Sequence, residues 1–216
     1  MHIINVVQGT PEWKSARAGI VTASRINDVM AKIKTGEAAA RRDYRSQIVA
    51  EILTGTPQDP DYEDAVMIWG KEQEPNARSA YELAQGVMVQ QVGLVLHPTL
   101  DRTGASPDGL LDDEGMGCLA NGGLEIKCPK TATHLKYLLE NRIPKEYENQ
   151  MLWQMACCER AWCDFVSFDP RLPENMQLFV KRFSRSEARI LEIEEEVKLF
   201  LSEVDAMIRL FKSRGR

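Results

Sequence analysis

The sequence lacks long hydrophobic runs. No stretch approaches the roughly 18 consecutive apolar residues that a transmembrane helix needs, and the N-terminus has no basic segment followed by an apolar one, as signal peptides do. We therefore expect no membrane span and a cytoplasmic location. The chain has 216 residues, of which 44% are hydrophobic and 27% charged, a length and composition typical of one globular domain with a sizeable core.

Cysteines with the spacing of metal ligands are also missing. The chain has five cysteines and three histidines, and no two cysteines form a C-x-x-C pair. A zinc site is therefore not expected. We interpret the cysteines as reduced thiols in the core or on the surface; they are Cys118, Cys128, Cys157, Cys158 and Cys163.

The chain has no excess of positive charge. Its net charge of −5 argues against a uniformly basic surface for nucleic acid, because phosphate binding normally requires a lysine and arginine excess. A protein with a basic groove and an acidic exterior can have the same negative net charge. A substrate confined to the groove responds to the local positive charge, so nucleic-acid binding stays possible in principle. Two clusters are either parts of such a groove or solvated faces of ordinary elements: Arg41, Arg42 and Arg45, and Lys181, Arg182 and Arg185.

Two acids and a lysine form the most informative pattern. Asp108 occupies a Pro-Asp-Gly turn, and Glu125 and Lys127 lie two apart on a predicted strand. Residues i and i+2 of a strand share a face, so Glu125 and Lys127 project together while Leu124 and Ile126 face the core. A hairpin returning from Asp108 adds a second carboxylate. Carboxylates suit Mg²⁺, and an ammonium group stabilises developing negative charge, so the pattern indicates a metal-dependent phosphodiesterase rather than surface decoration.

Apolar periodicity and breaker residues predict an α/β (α+β) fold with a central mixed β-sheet flanked by helices. Predicted helices cover 11–19, 22–32, 37–53, 64–85, 133–140, 145–158 and 184–212. Predicted strands cover 3–7, 87–97, 102–105, 109–111, 124–128, 163–168 and 176–183. Pro75 is expected to break the fourth helix, which would put Glu74 at a helix boundary and let it point into a site.

Glu74 precedes Asp108, Glu125 and Lys127 in the chain. The resulting order, Glu, Asp, Glu-x-Lys, resembles the PD-(D/E)XK nuclease superfamily, whose core is restriction-endonuclease-like. Further segments resemble the lambda-type alkaline exonucleases, the YqaJ viral recombinase family. In chain order these are Trp13 with Arg17, 19–24, 69–74 with Ala77 and Arg78, 106–109, 123–129 and 147–150. The resemblance implies one nuclease domain over 1–216, with a helical part at 10–85, the nuclease core at 64–183 and a C-terminal helix at 184–212.

The resemblance also implies a metal site. Asp108, Glu125 and the backbone carbonyl of Ile126 are expected to hold Mg²⁺, for which Mn²⁺ would substitute. Glu74 is expected to support a metal ion directly or through its water, and Lys127 to help activate the nucleophile.

Residues outside the metal centre are matched as well. Arg17 matches the arginine that holds a 5′-phosphate, and Ser24, at a predicted helix N-terminus, adds hydroxyl and backbone donors to the same anion. Tyr147 and Gln150 match the helical Tyr/Gln motif that lies over the active site. The chain departs from the family just beyond Gln150: the second glutamine, often two positions on, is Leu152 here, and Gln154 follows.

The function implied is a Mg²⁺-dependent exonuclease that digests double-stranded DNA 5′ to 3′ and releases mononucleotides. The remaining 3′ strand would pass to a single-strand annealing protein in phage-type recombination inside a bacterial cell. The family also implies a ring of three subunits around duplex DNA, with basic residues lining its channel. Two alternatives share the metal core or the fold: a restriction-like or junction-resolving endonuclease, and a non-catalytic DNA-end-binding protein.

Overall fold

The computed structural model describes residues 1–58, 64–111 and 121–214. The sequence also predicts a turn at 112–117 and a loop at 54–61. That turn, Cys118 and part of that loop lie outside the described residues. Described helices are α1 (Pro11–Arg17), α2 (Ile26–Met30), α3 (Ala39–Thr54), α4 (Ala65–Gln85), α5 (Thr131–Glu140), α6 (Lys145–Cys157) and α7 (Glu187–Arg214). Described strands are β1 (His2–Ile4), β2 (Val21–Thr22), β3 (Leu94–Leu96), β4 (Thr103–Ala105), β5 (Gly109–Leu111), β6 (Gly122–Lys127), β7 (Trp162–Phe168) and β8 (Leu178–Ser184).

The predicted fold class is confirmed, but the described strands form two mixed sheets instead of one. The first has the order β1-β3-β4-β2 and the second the order β5-β6-β7-β8. The predicted strand at 87–97 is mostly irregular and contributes only Leu94–Leu96. Gly93 precedes this strand and lies close to the chain after β1, since a Cβ there would lie 2.4 Å from the carbonyl oxygen of Ile4. Between the sheets, Gln90 and Leu110 exchange two backbone hydrogen bonds of 2.9 Å.

Strand β6 is buried on both faces and separates two different environments. Leu124 and Ile126 pack with Ala77 and Tyr81 of α4 in one apolar cluster. Glu125, between them in sequence, points to the opposite face, where α6 lies, because side chains alternate along a strand. The predicted alternation is therefore correct, and it turns Glu125 towards a helix that carries polar side chains.

Helix α4 runs through Pro75 without a break, so the prediction that Glu74 lies at a helix boundary is wrong. Asp64 caps the helix, its Oδ1 accepting bonds of 2.9 and 2.8 Å from the N–H groups of Val66 and Met67. Pro75 removes one backbone donor, but the packing of Ala77 and Tyr81 against the second sheet keeps the helix continuous. Glu74 therefore projects from the middle of a helix.

The predicted helix at 22–32 begins later and ends earlier than expected, and its first turn is a 3-10 turn. Val21 and Thr22 form a short buried strand parallel to β4, paired with Thr103 and Gly104. A 3-10 turn at Ala23–Arg25 follows, and α2 begins only at Ile26. Ser24 therefore lies in the 3-10 turn that leads directly into α2, before the first residue of the α-helix.

The two basic clusters seen in the sequence are largely neutralised by acids. Arg41 and Arg45 of α3 both form ion pairs with Glu203 of α7. Arg182 of β8 binds the buried Asp164 through bonds of 2.9 Å, and Arg185 pairs with Glu187. These arginines join elements to one another through ion pairs, which favours ordinary structural elements over a basic groove. None of the helices in the described ranges combines the length and apolar character needed to cross a bilayer.

Candidate active site

The β5–β6 hairpin brings Asp108 beside β6. The Asp108 N–H donates to the Leu124 carbonyl at 3.2 Å, and its Oδ2 accepts from the Ile126 N–H at 2.6 Å. The N–H and C=O of one strand residue point to the same side of the strand, so the Ile126 carbonyl also faces the Asp108 side. One carboxylate and one backbone carbonyl are thereby directed to a common point.

Glu125 is held by three donors on the α6 face of β6. Gln150 Nε2 donates to its Oε1 at 2.7 Å, and Gln154 Nε2 donates to its Oε2 at 2.5 Å. Lys127 forms an ion pair with Oε1. Only 1% of Glu125 is exposed to solvent, and burying a carboxylate is costly unless such partners are present. Both carboxylate oxygens of Glu125 therefore accept a hydrogen bond.

Charge is concentrated around these groups. Burial, followed by the nearby Glu125 carboxylate, raises the pKa of Asp108 well above its ordinary value, against the opposing effect of Lys127. Burial alone would lower the pKa of Lys127, but Glu125 and Asp108 outweigh it and the pKa is raised. The site thus contains acids that repel one another and a lysine that keeps its proton, an environment that favours an additional cation.

The donor set fits a hard divalent cation. Within the described ranges, no three His, Cys, Asp or Glu side chains converge as a complete metal cage. Mg²⁺ does not require one, because it is commonly held by one or two carboxylates together with water and substrate phosphate. Asp108, Glu125 and the Ile126 carbonyl supply oxygen donors of this kind. A cation would offset the burial and the repulsion by Glu125 that together raise the pKa of Asp108.

Glu74 approaches this centre from α4. It contributes to the raised pKa of Asp108, which places its carboxylate within electrostatic range of that residue. Its Oε1 accepts a 2.5 Å hydrogen bond from Arg78 one turn later on the same helix, so the carboxylate has a fixed partner on its own helix. Because Glu74 is half-buried, it adds negative charge at the rim of the centre.

Tyr147 of α6 lies beside Lys127. The ammonium nitrogen of Lys127 is 5.3 Å from the centroid of the Tyr147 ring. On its other side the ring stacks on Phe165 with centroids 5.3 Å apart. The aromatic ring restrains the lysine by a cation–π contact and is itself held by the core beneath it.

A separate cleft surrounds Arg17, with a volume of about 270 Å³. One guanidinium nitrogen, Nη2, donates to the hydroxyl oxygens of Thr22 and Ser24 at 3.4 Å each. The guanidinium carbon lies 3.9 Å from the centroid of the Trp13 ring. The cleft is also lined by Lys14, Arg25 and Lys71, so it combines several cations with two hydroxyl groups, as an anion site requires.

A second cleft of about 760 Å³ adjoins the first. Trp13, Lys14 and Lys71 line both clefts, and Glu74 and Arg78 line the second. The anion-binding region around Arg17 therefore continues along α1 and α4 to the acid that approaches Asp108.

Sequence reasoning missed several residues of this region. Gln154 was named only as a departure from the family pattern, although its position one turn after Gln150 was a usable signal. Trp13 was named only as part of the family resemblance, without a role; it lies under Arg17, and its indole N–H donates to Ser106 Oγ at 2.9 Å. Lys14 had no distinguishing signal in the sequence.

Comparisons with known proteins give a consistent result. The model of the YqaJ-like viral recombinase domain matches residues 12–161. The crystal structure of an alkaline exonuclease (LHK-Exo) from Laribacter hongkongensis is 46% identical, with a TM-score of 0.85 over 95% of this chain and 98% of that chain. The structure of LHK-Exo in complex with dAMP has the same identity and coverage and a TM-score of 0.86.

A phage related exonuclease from Haemophilus somnus 129PT has a TM-score of 0.69 at 14% identity, over 89% of this chain and 96% of that chain, a likeness that concerns the fold alone. A search of the curated proteins finds no match. The family model spans most of the chain, and the alkaline exonuclease is similar over nearly all of it. This chain therefore belongs to the YqaJ-like viral recombinase family, whose members are metal-dependent nucleases with a PD-(D/E)XK-type fold.

Proposed function

We propose that this protein is a Mg²⁺-dependent exonuclease that degrades one strand of duplex DNA from its 5′ end. It releases mononucleotides and leaves a 3′ single strand, and residues 1–216 act as one nuclease domain. The observation that carries this proposal is the continuity of the Arg17 cleft with the cleft lined by Glu74, through the shared Trp13, Lys14 and Lys71. A strand end bound at Arg17 would thus extend towards Glu74, whose negative charge acts on Asp108.

The Arg17 cleft favours a terminal phosphate. Its volume of about 270 Å³ is small for a duplex and suits the end of one strand. A 5′-phosphate carries more charge than an internal phosphodiester and presents three oxygens, which match a guanidinium group with the Thr22 and Ser24 hydroxyl groups beside it. Stacking on Trp13 restrains the guanidinium before the anion arrives, which lowers the entropic cost of binding.

The chemistry at the centre follows from its residues. Asp108, Glu125 and the Ile126 carbonyl would hold the metal, and Glu74 would orient water at the rim. A bound Mg²⁺ supplies Lewis-acid stabilisation of the phosphoryl charge and lowers the pKa of a water molecule. Lys127 contributes a second positive charge to the same phosphoryl group. Gln150, half-buried on α6, can turn its amide from Glu125 to a phosphate oxygen.

The proposal extends to partners and location. LHK-Exo has been crystallised with dAMP, a 5′-mononucleotide of the kind that this exonuclease would release. We propose that three copies form a ring around duplex DNA and that a single-strand annealing protein receives the 3′ strand in phage-type recombination. The acidic net charge of −5 is compatible with this if the basic clefts face the channel. The free buried thiols among the described cysteines suit the reducing cytoplasm of a bacterial cell.

Polarity and product size test the proposal. Linear duplex DNA, labelled at either the 5′ or the 3′ end of one strand, is incubated with Mg²⁺, with Mn²⁺ and with EDTA. We expect 5′ label to appear as mononucleotide at once and 3′ label to remain on a long single strand. Both reactions should stop in EDTA and proceed with Mn²⁺. Lys127→Ala should lose most of the activity, while Lys198→Ala, on the exposed face of α7, should retain it.

A covalently closed circular duplex separates the proposed exonuclease from an endonuclease. We expect the circle to survive while linear DNA of the same sequence is consumed. Cleavage of both at equal rates would replace the proposal with a restriction-like or junction-resolving endonuclease. Binding of DNA ends without hydrolysis under any metal condition would leave an end-binding protein instead.

A further inference from the structure

The two glutamines that hold Glu125 occupy different environments. Gln154 is 3% exposed and approaches Oε2 from within the core, whereas Gln150 is half-buried and approaches Oε1 from the open side of α6. The two residues lie one helical turn apart, so their side chains reach the same carboxylate from neighbouring positions on one face of α6. The oxygen bound by Gln150 is also the one paired with Lys127.

The amide of Gln154 is held in one orientation. Its Nε2 donates to Glu125, and its Oε1 lies 3.8 Å from the Sγ of Cys163, which can donate to it. Burial raises the pKa of the Cys163 thiol well above its ordinary value, so the thiol keeps its proton and remains a donor. The neighbouring space beside Gly123 and Cys158 is too small for a water molecule. No solvent there can replace the Gln154 donor if it is removed.

From this geometry we propose that Gln154 is the positioning residue for the Glu125 carboxylate, and that Gln150 is its exchangeable partner. Gln154 fixes Oε2 from the core side and thereby sets the direction of Oε1 before any cation arrives. Gln150 can release Oε1 to a cation and move to the substrate phosphate. The inference rests on the proposed function, because it assumes that Glu125 binds a divalent metal. It assigns the two glutamines to different steps, metal binding and turnover.

Manganese binding by the full-length protein without DNA tests this division directly. Mn²⁺ affinity is measured by electron paramagnetic resonance for the wild type, Gln154→Met and Gln150→Met, since methionine keeps the side-chain length and removes the amide donor. We expect Gln154→Met to bind Mn²⁺ about 10- to 100-fold more weakly, the usual effect of removing a hydrogen bond to a metal-binding side chain. Gln150→Met should stay within about threefold of the wild type, because water can replace its half-exposed amide.

Steady-state kinetics provide the second readout. For Gln154→Met, saturating Mg²⁺ should recover most of kcat, and the Mg²⁺ concentration for half-maximal rate should rise by a factor similar to the loss of Mn²⁺ affinity. For Gln150→Met, kcat should fall at every Mg²⁺ concentration. Met155→Leu, a buried change of similar volume on the same helix, controls for altered packing. It should change neither Mn²⁺ affinity nor the dependence on Mg²⁺.

The outcomes separate this inference from the proposed function. Wild-type protein that binds no Mn²⁺ would overturn the metal-dependent function and the inference together. Wild-type binding with unchanged affinity in Gln154→Met, or with equal losses in both glutamine variants, would overturn the inference alone. If Gln154→Met does not fold, Cys163→Ala replaces it. That variant should bind Mn²⁺ about threefold more weakly, and unchanged affinity would refute the role of Gln154.

Discussion

Asp108 Oδ2 accepts a 2.6 Å hydrogen bond from the backbone N–H of Ile126. This contact ties a side chain in the β5–β6 hairpin to the residue between Glu125 and Lys127. It also directs the Ile126 carbonyl and the Asp108 carboxylate to one side of β6. A turn and a strand that are separate in sequence thereby become one oxygen-rich centre, and several measurable consequences depend on its charge.

Replacing Asp108 with Asn should raise stability while abolishing activity. Burial and the nearby Glu125 raise the pKa of Asp108, so its ionised form is unfavourable when no cation is bound. The Asn side chain retains an oxygen for the Ile126 N–H and removes the charge. In EDTA the midpoint of thermal unfolding should rise, while hydrolysis of linear DNA with Mg²⁺ should fall on the order of a thousandfold. Asp101→Asn, at an exposed turn, is the matched control, and a lower midpoint for Asp108→Asn would contradict the prediction.

Removal of the Arg17 side chain should weaken the preference for 5′-phosphorylated ends. Hydrogen bonds to a charged group contribute about 1.5–3 kcal/mol, so Arg17→Ala should reduce kcat/KM on phosphorylated ends by about 10- to 100-fold. The rate on 5′-hydroxyl ends should change little. Arg42→Ala provides the control, since Arg42 is exposed and pairs with Asp43 on α3. If Arg17→Ala prefers 5′-phosphorylated over 5′-hydroxyl ends as strongly as the wild type does, Arg17 does not bind the 5′-phosphate.

Protonation of Asp169 should make the protein less stable in acid. Burial works to raise the pKa of Asp169, but hydrogen bonds from Arg171 and Thr131 outweigh it and lower the pKa from 3.8 to about 2. A carboxyl group with a depressed folded-state pKa stabilises the fold above its unfolded pKa, and this contribution disappears as the pH falls through the folded-state pKa. The free energy of unfolding should therefore decrease by about 2 kcal/mol between pH 4 and pH 2 on account of this group.

Urea unfolding of the wild type and Asp169→Asn across this pH range measures the contribution of Asp169. The variant should be less stable at pH 7, and the difference between the two proteins should shrink towards pH 2. A difference in the free energy of unfolding that stays constant with pH would show that the ionisation of Asp169 beside Arg171 does not stabilise the fold.

The elements that were predicted correctly are those whose pattern is local. The alternation Leu124, Glu125, Ile126, Lys127 specifies a strand with one acidic and one basic side chain on the same face. The structure has that arrangement. The long amphipathic C-terminal helix was likewise predictable, because its apolar residues recur every three to four positions. In both cases a few consecutive residues contain the signal.

The errors arose where distant contacts override local preference. Pro75 normally ends a helix, but packing of α4 on the second sheet maintains it. Val21 and Thr22 are too short a segment to predict a strand, yet Thr103 and Gly104 provide the backbone partners. For the cluster at Arg41 and Arg45 the sequence left two interpretations open, because its acidic partners on α7, far along the chain, could not be identified from it.

The sequence by itself determined the order and spacing of the Glu, Asp, Glu-x-Lys pattern, and through it the resemblance to the family. Only the tertiary structure decided that Gln154 holds the inner oxygen of Glu125 and that Trp13 lies beneath Arg17. The physical reason is that spacing along a strand or helix controls which side chains share a face. Which donor satisfies a buried charge depends on the elements that pack against that face, and these come from distant parts of the chain.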